Sequence, residues 1–479
     1  MQKITHGKNL TKRPALGVLL DAEANVGKDI EPGTFTGVLR YGNVWSTGSL
    51  FDDAQVSRIT EAMGPDIETI HGTPRSTPKA FEGNSKIGPA GGMGGSFKES
   101  DHFRVYGATS GEQAAKTLAM LEAAYDCFVN DMKWRNSGLS YNQKSDDGFA
   151  GPYYKENVFG KSGLGTAAGV MNTDGRAGLS YVQVISKDLA TPQVTVHEFG
   201  HALTYHEKGW VDQGKTGTWW EPVANWFADT YITSDLCAAA RKRGNQPTGQ
   251  TMIRLDVVIS RSHQVLVDGT PNSGNYYESF PFISYFTNNP DKIDGLGKYA
   301  LRNMFRKFKR GSDETPLHAL SYITSTPVRD IVGKYWARMA FVDIGHPQAK
   351  SLFEKTRPRL NYASLDGSNG SYRPKAARAP KYFGANIIPL RVEGGNVSVK
   401  ITAAKPFIAT LAIKKAGQVK YVECPGGACT ASVGAGEEAA LTVVNAPREL
   451  AKYDGFKIGG AVAEGLDYQL KLTGARPAF

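Results

Sequence analysis

Val196-His197-Glu198-Phe199-Gly200-His201-Ala202-Leu203, followed by Trp219-Trp220-Glu221-Pro222-Val223-Ala224-Asn225-Trp226-Phe227-Ala228-Asp229, is the part of this chain from which architecture and chemistry can be read together. Thr191-Pro192 makes a helix entry, and Val194, Val196, Ala202 and Leu203 supply apolar positions, so a helix is expected over residues 193–207. His197 and His201, four residues apart, then project from one face of that helix. Two imidazoles so placed can bind one Zn²⁺, with Glu198 beside them as a general base. A carboxylate from a second element would complete three protein ligands and leave a fourth position for water, which points to a hydrolase.

The second segment is mostly apolar and aromatic and reads as a buried helix. A carboxylate there is costly unless it faces a cation or a metal, so Glu221, twenty residues past His201, is the expected third ligand. Asn225, one turn further on the same face, could accept a hydrogen bond from the outer ring nitrogen of a ligating histidine and fix its tautomer. Asp229, another turn along, is the alternative for that role. The plainer alternatives are a Glu221 that only complements the helix dipole, and a His-Glu-His cluster that is the polar side of an amphipathic helix.

The HEFGH motif with a helix-borne glutamate twenty residues beyond it resembles the gluzincins, the thermolysin-like zinc peptidases. The resemblance implies zinc ligands His197, His201 and Glu221, one ion per chain, with Glu198 as base. It implies a catalytic domain of mixed sheet, HExxH helix and downstream helical subdomain. It also implies an extra donor for the oxyanion from that subdomain, with Tyr277, Tyr276 and His263 as candidates. Where thermolysin-like enzymes carry an aspartate one turn after the third ligand, this chain has Asn225. The segments HFRVYG (102–107), VHEFGHAL (196–203), WWEPVANWFAD (219–229) and YYESFPF (276–282) are also similar to a little-characterised group of secreted gluzincins from fungi and bacteria, a likeness that implies no particular substrate.

At 479 residues the chain has room for two or three domains, and 41% apolar with 21% charged residues is the composition of a globular protein. No apolar run approaches the roughly 18 residues that span a bilayer. The longest early apolar stretch, 15–20, ends at Asp21 and makes no convincing secretory signal, which is compatible with a mature form. The formal charge of +10 suggests attraction to anionic surfaces. Basic residues cluster at 302–310 and 355–381, but Met304, Phe305 and Phe308 interrupt the first cluster at helical spacing. An amphipathic helix with a solvated basic face is expected there, and no specific nucleic-acid recognition. Of the four cysteines, Cys424 and Cys429 flank a short turn suited to a disulfide between hairpin strands. Cys127 and Cys237 would then tie two helices of the catalytic domain. That partition favours an oxidising compartment and a secreted, extracellular protein. Sequons at Asn9, Asn369 and Asn396 fit the same setting.

The expected fold class is α+β, with four parts along the chain. Residues 1–100 read as a Gly/Pro-rich, β-rich segment packing on the catalytic domain, with β-like runs at 35–39 and 41–45 and a flexible stretch at 88–96. Residues 101–350 form the zinc domain, 351–383 a linker and 384–479 a β-sandwich of short alternating strands. Within the zinc domain a strand is expected at 102–106, an amphipathic helix over 111–133, a turn at Asn172-Thr173-Asp174-Gly175 and a strand at 179–185. That last strand is either the edge that pairs with extended substrate, as in gluzincins, or an interior strand. His206 lies off the His197/His201 face and reads as structural. The expected function is zinc-dependent peptide hydrolysis by a monomer on a peptide or protein substrate, glycosylated or cell-wall associated forms included. A zinc hydrolase of a glycan, and a wall-binding protein with a structural metal, stand as alternatives, since clustered Trp and Tyr also suit sugar stacking.

Overall fold

Apolar and polar residues alternate through Phe103-Arg104-Val105, and this segment is a strand in the computed structural model, which describes residues 80–89, 95–146, 149, 151–210, 214–271 and 273–479. It forms β2 (Phe103–Tyr106), with Phe103 and Val105 facing the core. β1 (Phe97–Glu99) pairs with it antiparallel. β3 (Glu156–Lys161) lies parallel to β2, β5 (Leu179–Ile185) parallel to β3, and β4 (Gly169–Asp174) antiparallel to β5. The sheet order is β1-β2-β3-β5-β4. β5 is therefore interior, and the edge beside it is β4. The turn that joins them is held by Asp174 Oδ1, which accepts from Arg176 N and Ala177 N, both at 2.9 Å.

A parallel pair needs a crossover, and the β2–β3 connection contains α1 (Gly111–Tyr125), capped by Ser110 Oγ accepting from Gln113 N at 3.1 Å. A π-helical turn, Asp126–Asp131, continues it and carries Cys127 to its disulfide with Cys237. α2 (Pro192–His206) opens with proline in its first turn, and α3 (Trp220–Thr233) lies beside it; both are buried on nearly every side. Gly200 permits their close approach, since a Cβ there would stand 2.9 Å from Phe227 Cβ. Downstream come α4 (Pro281–Asn288), α5 (Ala300–Lys307), α6 (Val328–Met339) and α7 (Pro347–Thr356). α5 is the expected amphipathic helix: Met304 and Phe305 are buried, Arg306 pairs with Glu207, and Arg302 donates to Met132 O at 3.2 Å. Part of the basic cluster is thus neutralised inside the fold. Among the described residues no helix is long and apolar enough to cross a membrane.

The C-terminal region is two five-stranded antiparallel sheets. One contains β8 (Ala385–Val392), β10 (Phe407–Lys415), β11 (Gln418–Glu423), β13 (Glu438–Asn445) and β15 (Ala475–Pro477). The other contains β6 (Leu365–Ser368), β7 (Ser371–Pro374), β9 (Asn396–Ala403), β12 (Ala428–Ser432) and β14 (Tyr468–Thr473). Ile388 and Leu441 from the first sheet share a core with Val399 and Leu470 from the second. The α+β class with a β-rich C-terminal region is as expected.

Two expectations need correction. Residues 351–383 are not a linker: α7 runs into them, and β6 and β7 are strands of the second sheet. Those strands expose most of their residues, so they carry no alternating apolar pattern. The Cys424–Cys429 bond does not join a hairpin, because β11 and β12 belong to opposite sheets and the disulfide spans the chain's passage between them. Ala80–Phe479 falls within one compact unit. Ile387 and Val444 join the same apolar core as Trp219 and Phe282. The readings for 1–79, including the runs at 35–39 and 41–45 and the sequon at Asn9, and most of that for 88–96, lie outside the described residues.

Candidate metal centre

Helix α2 presents His197, Glu198 and His201, and α3 presents Glu221 at its second residue. His197 Nε2 lies 3.1 Å from Glu221 Oε2, and His201 Nε2 lies 3.6 Å from the same oxygen. One ligand atom from each of the three residues falls within 4.8 Å of the others, and all three side chains are buried. The group could hold a metal ion.

Burial alone would depress both imidazoles. For His197, the hydrogen bond and charge of Glu221 more than offset that, and its pKa is raised. His201 stays below the usual histidine range, held there by burial and by the charge of His197. Burial would raise Glu221, but His201 and His197 keep it well below the usual carboxylate range. The donor set fits a divalent cation: two imidazole nitrogens and one carboxylate, removed from solvent, with a second carboxyl group, Glu198, on the same helix.

The surroundings orient this set. Asn225 Oδ1 lies 2.9 Å from His197 Nδ1, the partnership expected for it, and Asn225 Nδ2 donates to Tyr277 O at 2.8 Å. Tyr277 hydrogen-bonds Glu221. Tyr276 and Tyr277 are both half-buried, and burial followed by the Glu221 charge keeps their phenols protonated. On the other side, a Cβ at Gly169 would lie 2.7 Å from Glu198 Cγ and 2.8 Å from its Oε1. Only a glycine at the start of β4 lets the Glu198 carboxyl lie against the edge strand. That residue and strand escaped the sequence reading; the one available signal was a glycine opening a run that ends in a strong turn.

Other candidates stand elsewhere. Asp229 does not reach a ligating histidine. Its Oδ2 lies 2.8 Å from His346 Nε2, and its Oδ1 accepts from Thr251 Oγ1 at 2.8 Å and Met252 N at 2.6 Å. His263 is not brought to the group: its carbonyl accepts from Lys381 N at 2.8 Å, and burial with the charges of Arg378, Lys381 and Arg261 lowers its ring to about 4. Those three cations, and no carboxylate of the centre, make up its charged surroundings. His206 is structural as read, with Nε2 2.8 Å from Ser180 Oγ.

No curated protein matches this chain. Residues 109–405, from just before α1 to just past β9 and more than half of the chain, match the model of a family of unknown function, DUF6055, and the chain belongs to that family.

Proposed function

We propose that this chain is a zinc-dependent metallopeptidase with a gluzincin-type catalytic domain. The observation that carries the reading is the buried His197–His201–Glu221 group with Glu198 on the same helix, turned toward an edge strand. Zn²⁺ held by the three ligands would supply a Lewis acid that polarises a carbonyl and acidifies a water. The chain's own residues do the rest. Glu198 takes a proton from the attacking water and returns it to the leaving amine nitrogen. Tyr277 and Tyr276, whose phenols remain protonated, are donors for the developing oxyanion. β4 ends the sheet among the described residues, so its outer edge can pair with an extended peptide, main chain to main chain. Two disulfides favour an oxidising, extracellular setting, and the expected substrate is a peptide or protein cleaved by a monomer.

Digestion of a proteome-derived peptide mixture, read by mass spectrometry, tests this reading. Cleavage should stop with o-phenanthroline and return on addition of Zn²⁺. Absence of cleavage by the zinc-loaded chain contradicts it.

A further inference from the structure

Phe456 belongs to the connection between β13 and β14, residues 446–467, which leaves the sandwich and packs on the helical part of the fold through Leu450, Tyr453 and Ile458. Its backbone is pinned. Gly455 O accepts from Gly269 N at 3.0 Å, Ala451 N donates to Tyr382 Oη at 3.0 Å, Lys452 pairs with Asp313 at 2.7 Å, and Asp454 Oδ1 accepts from Phe456 N at 3.0 Å. Yet the ring on this fixed frame is 40% exposed, one of four large apolar side chains so exposed among the described residues. A lone exposed apolar side chain is ordinary. What matters is where this one stands.

One side of the ring is seated on glycines. A Cβ at Gly217 would come within 3.0 Å of Phe456 Cε2, and one at Gly269 within 2.8 Å of its Cδ1. Gly217 opens the 3-10 turn Gly217–Trp219 that leads directly into α3 and Glu221. The ring also meets Tyr276 edge-on, with centroids 5.4 Å apart, and Tyr276 adjoins Tyr277, the residue bonded to Glu221. Phe456 thus stands at the half-buried tyrosines beside the candidate centre, with one side packed and the other open to solvent.

We infer that Phe456, delivered by the C-terminal sandwich, forms an aromatic wall of the substrate cleft and selects an apolar side chain next to the scissile bond. The inference rests on the peptidase reading. It makes the sandwich part of the cleft. Phe456 also lies beyond the residues 109–405 matched by the family model, so the wall and the metal ligands are set by different parts of the chain.

Cleavage profiles of the zinc-loaded wild type, Phe456→Ala and Phe456→Leu against one peptide library test it. The Ala variant should lose selection for apolar side chains at one position beside the cleaved bond, with kcat/KM for those peptides down about tenfold through KM. Peptides with alanine at that position should be unaffected, and Leu should recover most of the loss. In a Glu198→Gln background, calorimetric titration with the best-cleaved peptide should show binding weakened about tenfold by Phe456→Ala. A wild type that cleaves with an unchanged profile in Phe456→Ala overturns the wall and leaves the peptidase reading standing. A wild type that cleaves no peptide overturns both.

Discussion

Asn225 Oδ1 accepts the Nδ1 proton of His197 at 2.9 Å, which leaves His197 Nε2 directed at Glu221, 3.1 Å away. A side chain that fixes the tautomer of a ligating histidine contributes to metal affinity without touching the metal. Asn225 also ties α3 to Tyr277 through the 2.8 Å bond from its Nδ2. Asn225→Leu removes both bonds and should weaken zinc binding by about 10–100-fold in a chelator competition. Asn225→Asp keeps the acceptor and should retain most of that affinity. Equal zinc affinity in wild type and Asn225→Leu would show that the contact does not orient a ligand.

Asp229 serves stability. It is buried and engaged with His346, Thr251 and Met252 N, on a helix packed on all sides. Asp229→Ala strands those partners and should cost about 3–5 kcal/mol in urea unfolding, with zinc stoichiometry unchanged. Loss of zinc from a still-folded variant would contradict this separation of roles.

A buried cluster below the motif helix sets a pH dependence. Ser180 Oγ lies 2.8 and 2.9 Å from the Glu156 carboxyl oxygens and 2.8 Å from His206 Nε2. Ser180 Oγ donates to the Glu156 carboxyl, and a neutral His206 protonated at Nε2 can donate to Ser180 in turn. Burial, partly countered by the Ser180 bond, raises Glu156 to about 8, and burial with the Arg135 charge lowers His206 to about 3. Between pH 4.5 and 8 the native state holds a Glu156 proton that the unfolded chain has released, so this group's contribution to stability falls as pH rises. His206 acts oppositely from pH 3 to 6.5, where the unfolded chain binds the extra proton. In wild type the two offset each other between pH 4.5 and 6.5. His206 is common to both proteins, so Glu156→Gln should gain on wild type by roughly 1.4 kcal/mol per pH unit between pH 4.5 and 8 in denaturant titrations. Parallel stability curves would refute it.

Where one element carried its own signal, the sequence was enough. HEFGH has the helical period and the Trp-rich segment has a charge no buried helix keeps without a partner, so His197, His201, Glu221 and Asn225 could be placed together. The Cys424–Cys429 pairing followed from its short spacing, and Cys127–Cys237 as the pair that remained. What depends on which surface meets which was not legible. Asp229 shares the spacing that recommended Asn225, but the loop at Thr251 and Met252 takes it elsewhere. The rank of β5 as interior and β4 as edge follows from strand order, which alternation does not encode. β6 and β7, mostly exposed, lack the apolar pattern that marks a strand, and Phe456 reaches Tyr276 from well over a hundred residues away in the chain.

The disulfides should differ in weight. Cys127–Cys237 closes a separation of 110 residues, Cys424–Cys429 one of 5. On the chain-entropy account, replacing the first pair by alanines should cost about 4–5 kcal/mol, and replacing the second distinctly less. Equal losses in urea unfolding would show that loop closure is not what the first bond contributes.

If Glu198 is the base of a hydrolytic metal centre built from His197, His201 and Glu221, turnover needs its carboxylate and zinc binding does not. Peptide cleavage by Glu198→Gln, measured beside its zinc content, tests it most directly. The prediction is a fall in kcat of about 10²–10⁴-fold, with zinc remaining near one ion per chain. Full activity in the variant, or cleavage by the wild type that persists without metal, would contradict it.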